Sequence, residues 1–264
     1  MYQDILTIAV VTVFAFFAIY WMWFQGEVDG SRLIAKNSMK QQKFNIILVL
    51  VAAFIVKAIL AVKNEGYSVD ITCFRSWSET VFTGGLSHFY EGDVTDYPPG
   101  YMLVLWLVAA IRHLFNIDNY STTGLFMIKL FPMLFDLAAA YLIYVMAKKR
   151  FSEGMSLMLS ALYALNPAVV IDSSVWGQVD GVLCCMVLLT CYLFMEEKRI
   201  LAYVAFCAGV LLKPQMVMFA PIIIYSIIEQ VFLHDFNTKK MLRDLIGGLA
   251  SLAAMVLVAL PFGL

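Results

Sequence analysis

Four short clusters hold most of the residues whose types suit chemistry. They are Asp70-x4-Arg75-x-Trp77, Asp96-Tyr97-Pro98-Pro99-Gly100, a run from Asn166-Pro167 through Asp172 to Trp176-Gly177-Gln178-Val179-Asp180, and Lys213-Pro214-Gln215. Carboxylates, cations, an amide and aromatic rings recur in them. Such groups can move a proton, hold an anion or hydrogen-bond a polar ligand. Each cluster also has a plainer reading. Asp70 suits the N-cap of a helix running through Phe74 and Trp77. Asp96-Tyr97-Pro98-Pro99-Gly100 suits a turn and a helix start. Trp176 suits an interface anchor, and Lys213 a snorkelling lysine. Asp136 lies in the middle of an apolar run, where a carboxylate is costly and functional by default. Its plainer reading is a structural pair with Lys129, seven residues back on the same helix face.

The elements that position these residues follow from composition. Of 264 residues, 62% are hydrophobic and 14% charged, against ~45–50% and ~25% in soluble domains. That much apolar surface cannot be covered by water-facing groups, so the chain is an integral membrane protein. A soluble enzyme with one anchor is excluded. The net charge of −1 excludes a nucleic-acid binder working by bulk charge. The five cysteines show no metal spacing and read as small hydrophobes.

Apolar stretches run Ile5–Phe24, Asn45–Val62, Pro99–Ile111, Leu125–Ala147, Met155–Ile171, Gly181–Met195, Ile200–Leu212, Met216–Ile228 and Leu245–Leu260. The first lacks the basic leader and cleavage site of a signal peptide. Lys and Arg gather at Arg32–Lys43, Lys148–Arg150, Lys198–Arg199 and Lys239–Arg243. Together these hold 12 of the 18 basic residues, which marks them as cytoplasmic. The count works only if the chain stays outside between Val62 and Leu125. Pro99–Ile111, ~13 residues against the ~20 needed, is then a helix in the outer interface. The expectation is an all-α, polytopic bundle of about eight spans plus that juxtamembrane helix. Residues 1–44 form an extra N-terminal span and basic loop. Residues 45–264 form the main transmembrane module, with an outer loop over 63–124. Polar clusters on one side of such a bundle suggest a site at that face, and the break at Lys213-Pro214-Gln215 suits a helix lining a cavity.

The motif order is itself informative. Asp-x4-Arg-x-Trp, Asp-Tyr-Pro-Pro, Pro-x-x-x-Ile-Asp, Lys-Pro-Gln and Leu260-Pro261-Phe262 resemble, in sequence, membrane glycosyltransferases of the GT-C fold. The nearest likeness is to bacterial proteins related to the second mannosyltransferase of GPI-anchor assembly. These carry Tyr-Pro-Pro-Gly and Trp-Gly-Gln-x-Asp, as here. A more distant likeness is to the dolichyl-phosphate-glucose glucosyltransferases. The resemblance runs from about Asn45 onward. Such enzymes have further spans after Leu-Pro-Phe, so it implies a C-terminally short chain.

The resemblance implies a polyprenyl-phosphate sugar donor, an acceptor hydroxyl of unknown identity and inversion at the anomeric carbon, at the outer face of a bacterial plasma membrane. Phosphate leaves without a general acid, so one base suffices, unlike glycoside hydrolysis with its two carboxylates. The implied base is Asp70. Arg75 and Lys213 are implied for the donor phosphate. Trp77, Asp96, Tyr97, Trp176, Gln178 and Asp180 are implied for substrate. No cofactor, metal or nucleic acid is expected. Two other classes fit parts of the sequence. A lipid or sugar transporter would explain Asp136 and Lys129 but predicts inverted repeats, and none is visible. A non-catalytic subunit binding a lipid-linked sugar would suit the short length.

Overall fold

The computed structural model describes residues 39–92, 95–229 and 238–263. The expected first span, Ile5–Phe24, and most of the basic loop after it lie outside the described residues. Nine longer helices are described: α1 (Met39–Lys63), α2 (Ser68–Thr83), α3 (Pro99–Leu114), α4 (Thr122–Ala147), α5 (Glu153–Ala164), α6 (Asp180–Met195), α7 (Arg199–Leu212), α8 (Ala220–Ile228) and α9 (Thr238–Ala259). No strand occurs among the described residues. Three helical stretches are long and apolar enough to cross a bilayer: Lys43–Lys63, α4, and α9 continued to Phe262. A fourth crossing is available if α5 and the segment Pro167–Trp176, bent by 47° from it, count as one. The remaining expected spans are apolar helices of 10–17 residues. They match the apolar runs Gly181–Met195, Ile200–Leu212 and Met216–Ile228 in extent.

Ion pairs fix which helix ends lie together. Asn45 of α1 donates to Glu153 of α5. Lys149, just past α4, pairs with Glu196, just past α6. Arg199, which starts α7, pairs with Asp244 near the start of α9. These residues mark one end of the bundle. The other end holds the close of α1, the start of α6 with Asp180, and the close of α7 with Lys213, which pairs with Asp180. The basic clusters at 148–150, 198–199 and 239–243 therefore share one end. Asp70, Gln178 and Lys213 share the other, as the charge distribution predicts.

Helix α3 begins and ends at this second end. Gly100 sits so close to the last turn of α7 that a Cβ would meet the Leu211 carbonyl oxygen at 2.6 Å. Just beyond α3, Asn119 Nδ2 donates to the Arg75 carbonyl of α2 at 3.2 Å. At 16 residues the helix is as long as α6, so the placement of both its ends, not its length, sets it apart from the helices that run between the two ends. It lies instead against α2. Phe82 stacks on His113 with ring centroids 4.5 Å apart. Glu79 accepts from Arg112 Nη2 at 2.7 Å, and its other oxygen meets His113 Nε2 at 2.8 Å.

Inside the bundle the buried charges are paired. Lys57 and Asp136 are both fully buried and meet at 2.8 Å. The remaining two protons of Lys57 go to the Val169 carbonyl and the Ser173 hydroxyl, each at 3.1 Å. The expected Asp136–Lys129 pair does not form. Seven residues along a helix is ~10 Å, too far for direct contact. Packing of α1 across α4 supplies Lys57 instead. Small residues permit that approach, since Ala53, Ala140 and Ala164 form a buried cluster where α1, α4 and α5 meet.

Two outcomes follow. Lys57→Met leaves Asp136 buried and unpaired, so thermal unfolding in detergent should show a loss of about 3–5 kcal/mol. The double variant Lys57→Met/Asp136→Leu should regain most of it; a double variant as unstable as the single one would show that charge pairing is not the cause. The Glu79 clasp should depend on pH. Burial raises this carboxyl, but the Arg112 and His113 hydrogen bonds and charges outweigh it and hold it below its ordinary value of 4.5. A depressed acid stabilises the fold above its unfolded value and loses that contribution as pH falls through its folded value. The stability gap between wild type and Glu79→Gln should therefore be full at pH 7 and close only well below pH 4.5, read as melting temperature against pH.

Candidate active site

The site is built on a broken helix. Asn166 caps a single turn, its side chain accepting from Ala168 N at 2.9 Å. Pro167 opens that turn, where a missing N–H costs nothing. The turn then widens into a π-helical stretch, Ile171–Trp176. Such stretches free carbonyls that need new partners. Lys129 supplies them. Its fully buried ammonium donates to Asn64 O at 2.7 Å, Ser174 O at 3.1 Å and Val175 O at 3.2 Å. An ammonium has three protons, shared among these carbonyls and, at 3.5 Å, that of Ala61, tying the end of α1 to the widened turn.

Gly177 ends the π turn in the left-handed region, φ +90°. A Cβ there would meet Ile71 Cδ1 at 2.7 Å. The backbone N–H groups of Gly177 and Gln178 both donate to the Asp172 carbonyl at 2.9 Å. This reversal aims Trp176 and Gln178 at one target. Trp176 Nε1 donates to Asp70 Oδ2 at 2.8 Å, and Gln178 Nε2 donates to the same oxygen at 3.0 Å. Tyr97 holds Gln178 in that orientation by donating its hydroxyl to Oε1 at 2.9 Å. Burial, with the carboxylates of Asp180, Asp70, Asp96 and Asp172 around it, pushes that hydroxyl well above its ordinary value, so it stays a donor.

Asp70 is not an N-cap. Helix α2 starts at Ser68 with Tyr67 in the cap position and no side-chain cap bond. Asp70 sits in the first turn, where the helix dipole favours a carboxylate. It is half-buried, and both of its hydrogen bonds fall on Oδ2. Lys213 is 5% exposed and pairs with Asp180, itself 56% exposed at the side chain. Pro214 forces the preceding residue extended, and Lys213 accordingly has φ −149° and ψ 118°. That geometry turns its side chain out of the α7 helical path toward the start of α6.

The structure thus gathers Asp70, Tyr97, Trp176, Gln178, Asp180 and Lys213. Trp77 is buried, with Phe74 and Tyr97 against it at ring-centroid distances of 5.8 and 5.6 Å; it backs the site. Asp96 is exposed beside Tyr97. Arg75 points elsewhere: five residues along a helix is ~140° around its axis, and its guanidinium lies over Tyr120 at 5.2 Å. Sequence reasoning missed three contributors: Lys129, Lys57 and Asp172, whose carbonyl anchors the Gly177 turn. Their signal was present, as two lysines in apolar runs and an aspartate in the Asn166–Asp180 cluster, but which backbone they serve depends on helix packing. Among the described residues no group of His, Cys, Asp and Glu could hold a metal ion.

The left-handed Gly177 gives a direct check. Gly177→Ala should cost about 1–3 kcal/mol from its backbone conformation alone, plus the clash with Ile71, seen as a lower melting temperature. A melt unchanged from wild type would mean that the turn is not constrained as described.

Comparison with known proteins bears on the identity of this arrangement. A family profile described as dolichyl-phosphate-mannose-protein mannosyltransferase matches residues 96–262. The match takes in the Tyr97, Gln178 and Lys213 segments and leaves Asp70 outside it. The chain is also 25% identical over 152 residues to GPI mannosyltransferase 1 of Saccharomyces cerevisiae (strain ATCC 204508 / S288c), covering 55% of this chain and 35% of that protein. The chain thus spans about a third of the length of that relative. That relative is a different member of the GPI series from the second mannosyltransferase, which the motifs resemble. No solved structure matches. With its helical bundle and more than half its length matched, the chain belongs to the dolichyl-phosphate-mannose-protein mannosyltransferase family.

Proposed function

We propose that this chain carries the base and the donor contacts of a membrane glycosyltransferase. It moves a hexose, in the first instance mannose, from a polyprenyl-phosphate donor to an acceptor hydroxyl with inversion. The observation that carries the reading is the fastening of Asp70: one carboxylate oxygen takes two hydrogen bonds, from Trp176 and Gln178, and the other is left for an incoming hydroxyl. Asp70 Oδ1 takes the hydroxyl proton as the acceptor oxygen bonds to the anomeric carbon. The bond from that carbon to the phosphate oxygen breaks with its electron pair, and the lipid phosphate departs. Lys213 answers the charge that develops on it. Its present partner, Asp180, is exposed and can move aside into water without leaving a buried carboxylate. Asp180 and Gln178 then hydrogen-bond sugar hydroxyls, the exposed ring of Trp176 packs on the sugar face, and Tyr97 fixes Gln178. Asp96 borders the entrance.

The positive-inside rule assigns the basic end of the bundle to the cytoplasm, so the site faces the outer side of what we read as a bacterial plasma membrane. The lipid bilayer and a lipid-linked donor are the partners this implies, with no nucleic acid and no cofactor.

The test is a transfer assay on the full-length gene product in membranes, with a panel of polyprenyl-phosphate sugars. Asp70→Asn keeps size and hydrogen bonding but takes no proton, so turnover should fall by about 10²-fold or more while donor binding is kept. Transfer by this variant at near wild-type rate would end the assignment.

A further inference from the structure

A second polar cavity, of about 550 Å³, opens beside α2 and is lined by Arg75, Glu79, Arg112, His113, Asp118 and Tyr120 among others. It lies on the face of α2 turned away from Gln178. Its charges are unevenly satisfied. Glu79 is committed to Arg112 and His113. Asp118 is exposed, and its Oδ2 accepts the Tyr120 backbone N–H at 3.2 Å. Arg75 has neither a carboxylate nor a carbonyl on its guanidinium among the described residues; only the Tyr120 ring covers it. Its Nε is buried without a hydrogen-bond partner, and so is the Nε of Arg112. Arg75 is partly buried, so its guanidinium is only partly solvated and has no counter-charge beside it. Arg112 has Glu79 as its counter-charge; Arg75, which has none, leaves a positive charge at this cavity that suits an oxyanion.

We propose that this cavity binds a phosphoryl group, carried by a phospholipid headgroup or free in solution. The guanidinium fork of Arg75 matches phosphate oxygens in pairs, and Arg112 and His113 line the same cavity. Tyr120 closes over the cation. The volume exceeds what a bare anion fills, which leaves room for the rest of a headgroup. The setting agrees, because α3 and the turn after it lie at the end of the bundle where α1 leaves the apolar layer, the depth at which lipid phosphates are found. The inference stands apart from the transfer reaction, since Asp70 and Lys213 take no part in it.

The purified full chain in maltoside detergent is titrated with dihexanoyl phosphatidic acid, inorganic phosphate and, as a neutral control, dihexanoyl glycerol, and binding is read by phosphorus NMR line broadening and native mass spectrometry. Saturable binding of phosphatidic acid is expected, with none of the neutral lipid. Arg75→Gln should weaken it at least tenfold, and Arg75→Lys, which keeps the charge but loses the fork, should fall between. Glu79→Gln should tighten it by releasing Arg112. Melting curves of each variant establish that it is folded. If phosphatidic acid binds and inorganic phosphate does not, the site takes headgroups; if both bind, the phosphoryl group alone suffices. Equal binding by wild type and both Arg75 variants, or no saturable binding of either phosphate, overturns the proposal.

Discussion

Two buried ammonium groups hold the rest of the structure in place. Lys57 and Lys129 are fully buried; Lys57 has three acceptors and Lys129 four, the Ala61 carbonyl at 3.5 Å the longest. In an apolar bundle an unsatisfied carbonyl or an unpaired charge is far more costly than in water. A helix can therefore break at membrane depth only where such partners are supplied. Lys57 serves Val169 and Ser173 at the start of the break, and Lys129 serves Ser174 and Val175 near its end. Together they make the widened turn an ordered element, and that turn carries Trp176 and Gln178.

From there the site follows in short steps. Ordered carbonyls fix the π turn, and Gly177 reverses the chain. The reversal sets an indole N–H and an amide N–H on one oxygen of Asp70. The family match covers residues 96–262 and so reaches the turn, Tyr97 and Lys213 but not the carboxylate they surround. The geometry joins the two parts: Tyr97 and Gln178, 81 residues apart in sequence, meet at 2.9 Å. Lys213 and Asp180 complete the rim, with the lysine buried and the aspartate exposed.

The α2–α3 pair solves a different problem. Helix α3 is apolar and has both its ends at one end of the bundle, where it packs on α2. Glu79 clasps Arg112 and His113 across that contact. The same arrangement turns Arg75 away from Gln178 and toward Tyr120. The charge of Arg75, which the resemblance groups with Lys213, ends in a separate cavity because a helix places residues five apart on different faces.

Sequence alone determined the all-α membrane class, because 62% hydrophobic residues admit no other solvent than lipid. It also indicated which helix ends lie together, because basic residues cluster by loop. The residues around Asp70 were legible as an ordered set of motifs. Tertiary structure decided what each one touches. Asp136 pairs with Lys57 rather than Lys129, since α1 packs across α4 while two helical turns separate the lysine on its own helix. Trp77 is a buried support and Trp176 an exposed one, although both are tryptophans in polar clusters. Periodicity reports the face a residue occupies on its own helix. The neighbour on that face is set by how helices distant in sequence pack, and a single chain's pattern does not encode that locally.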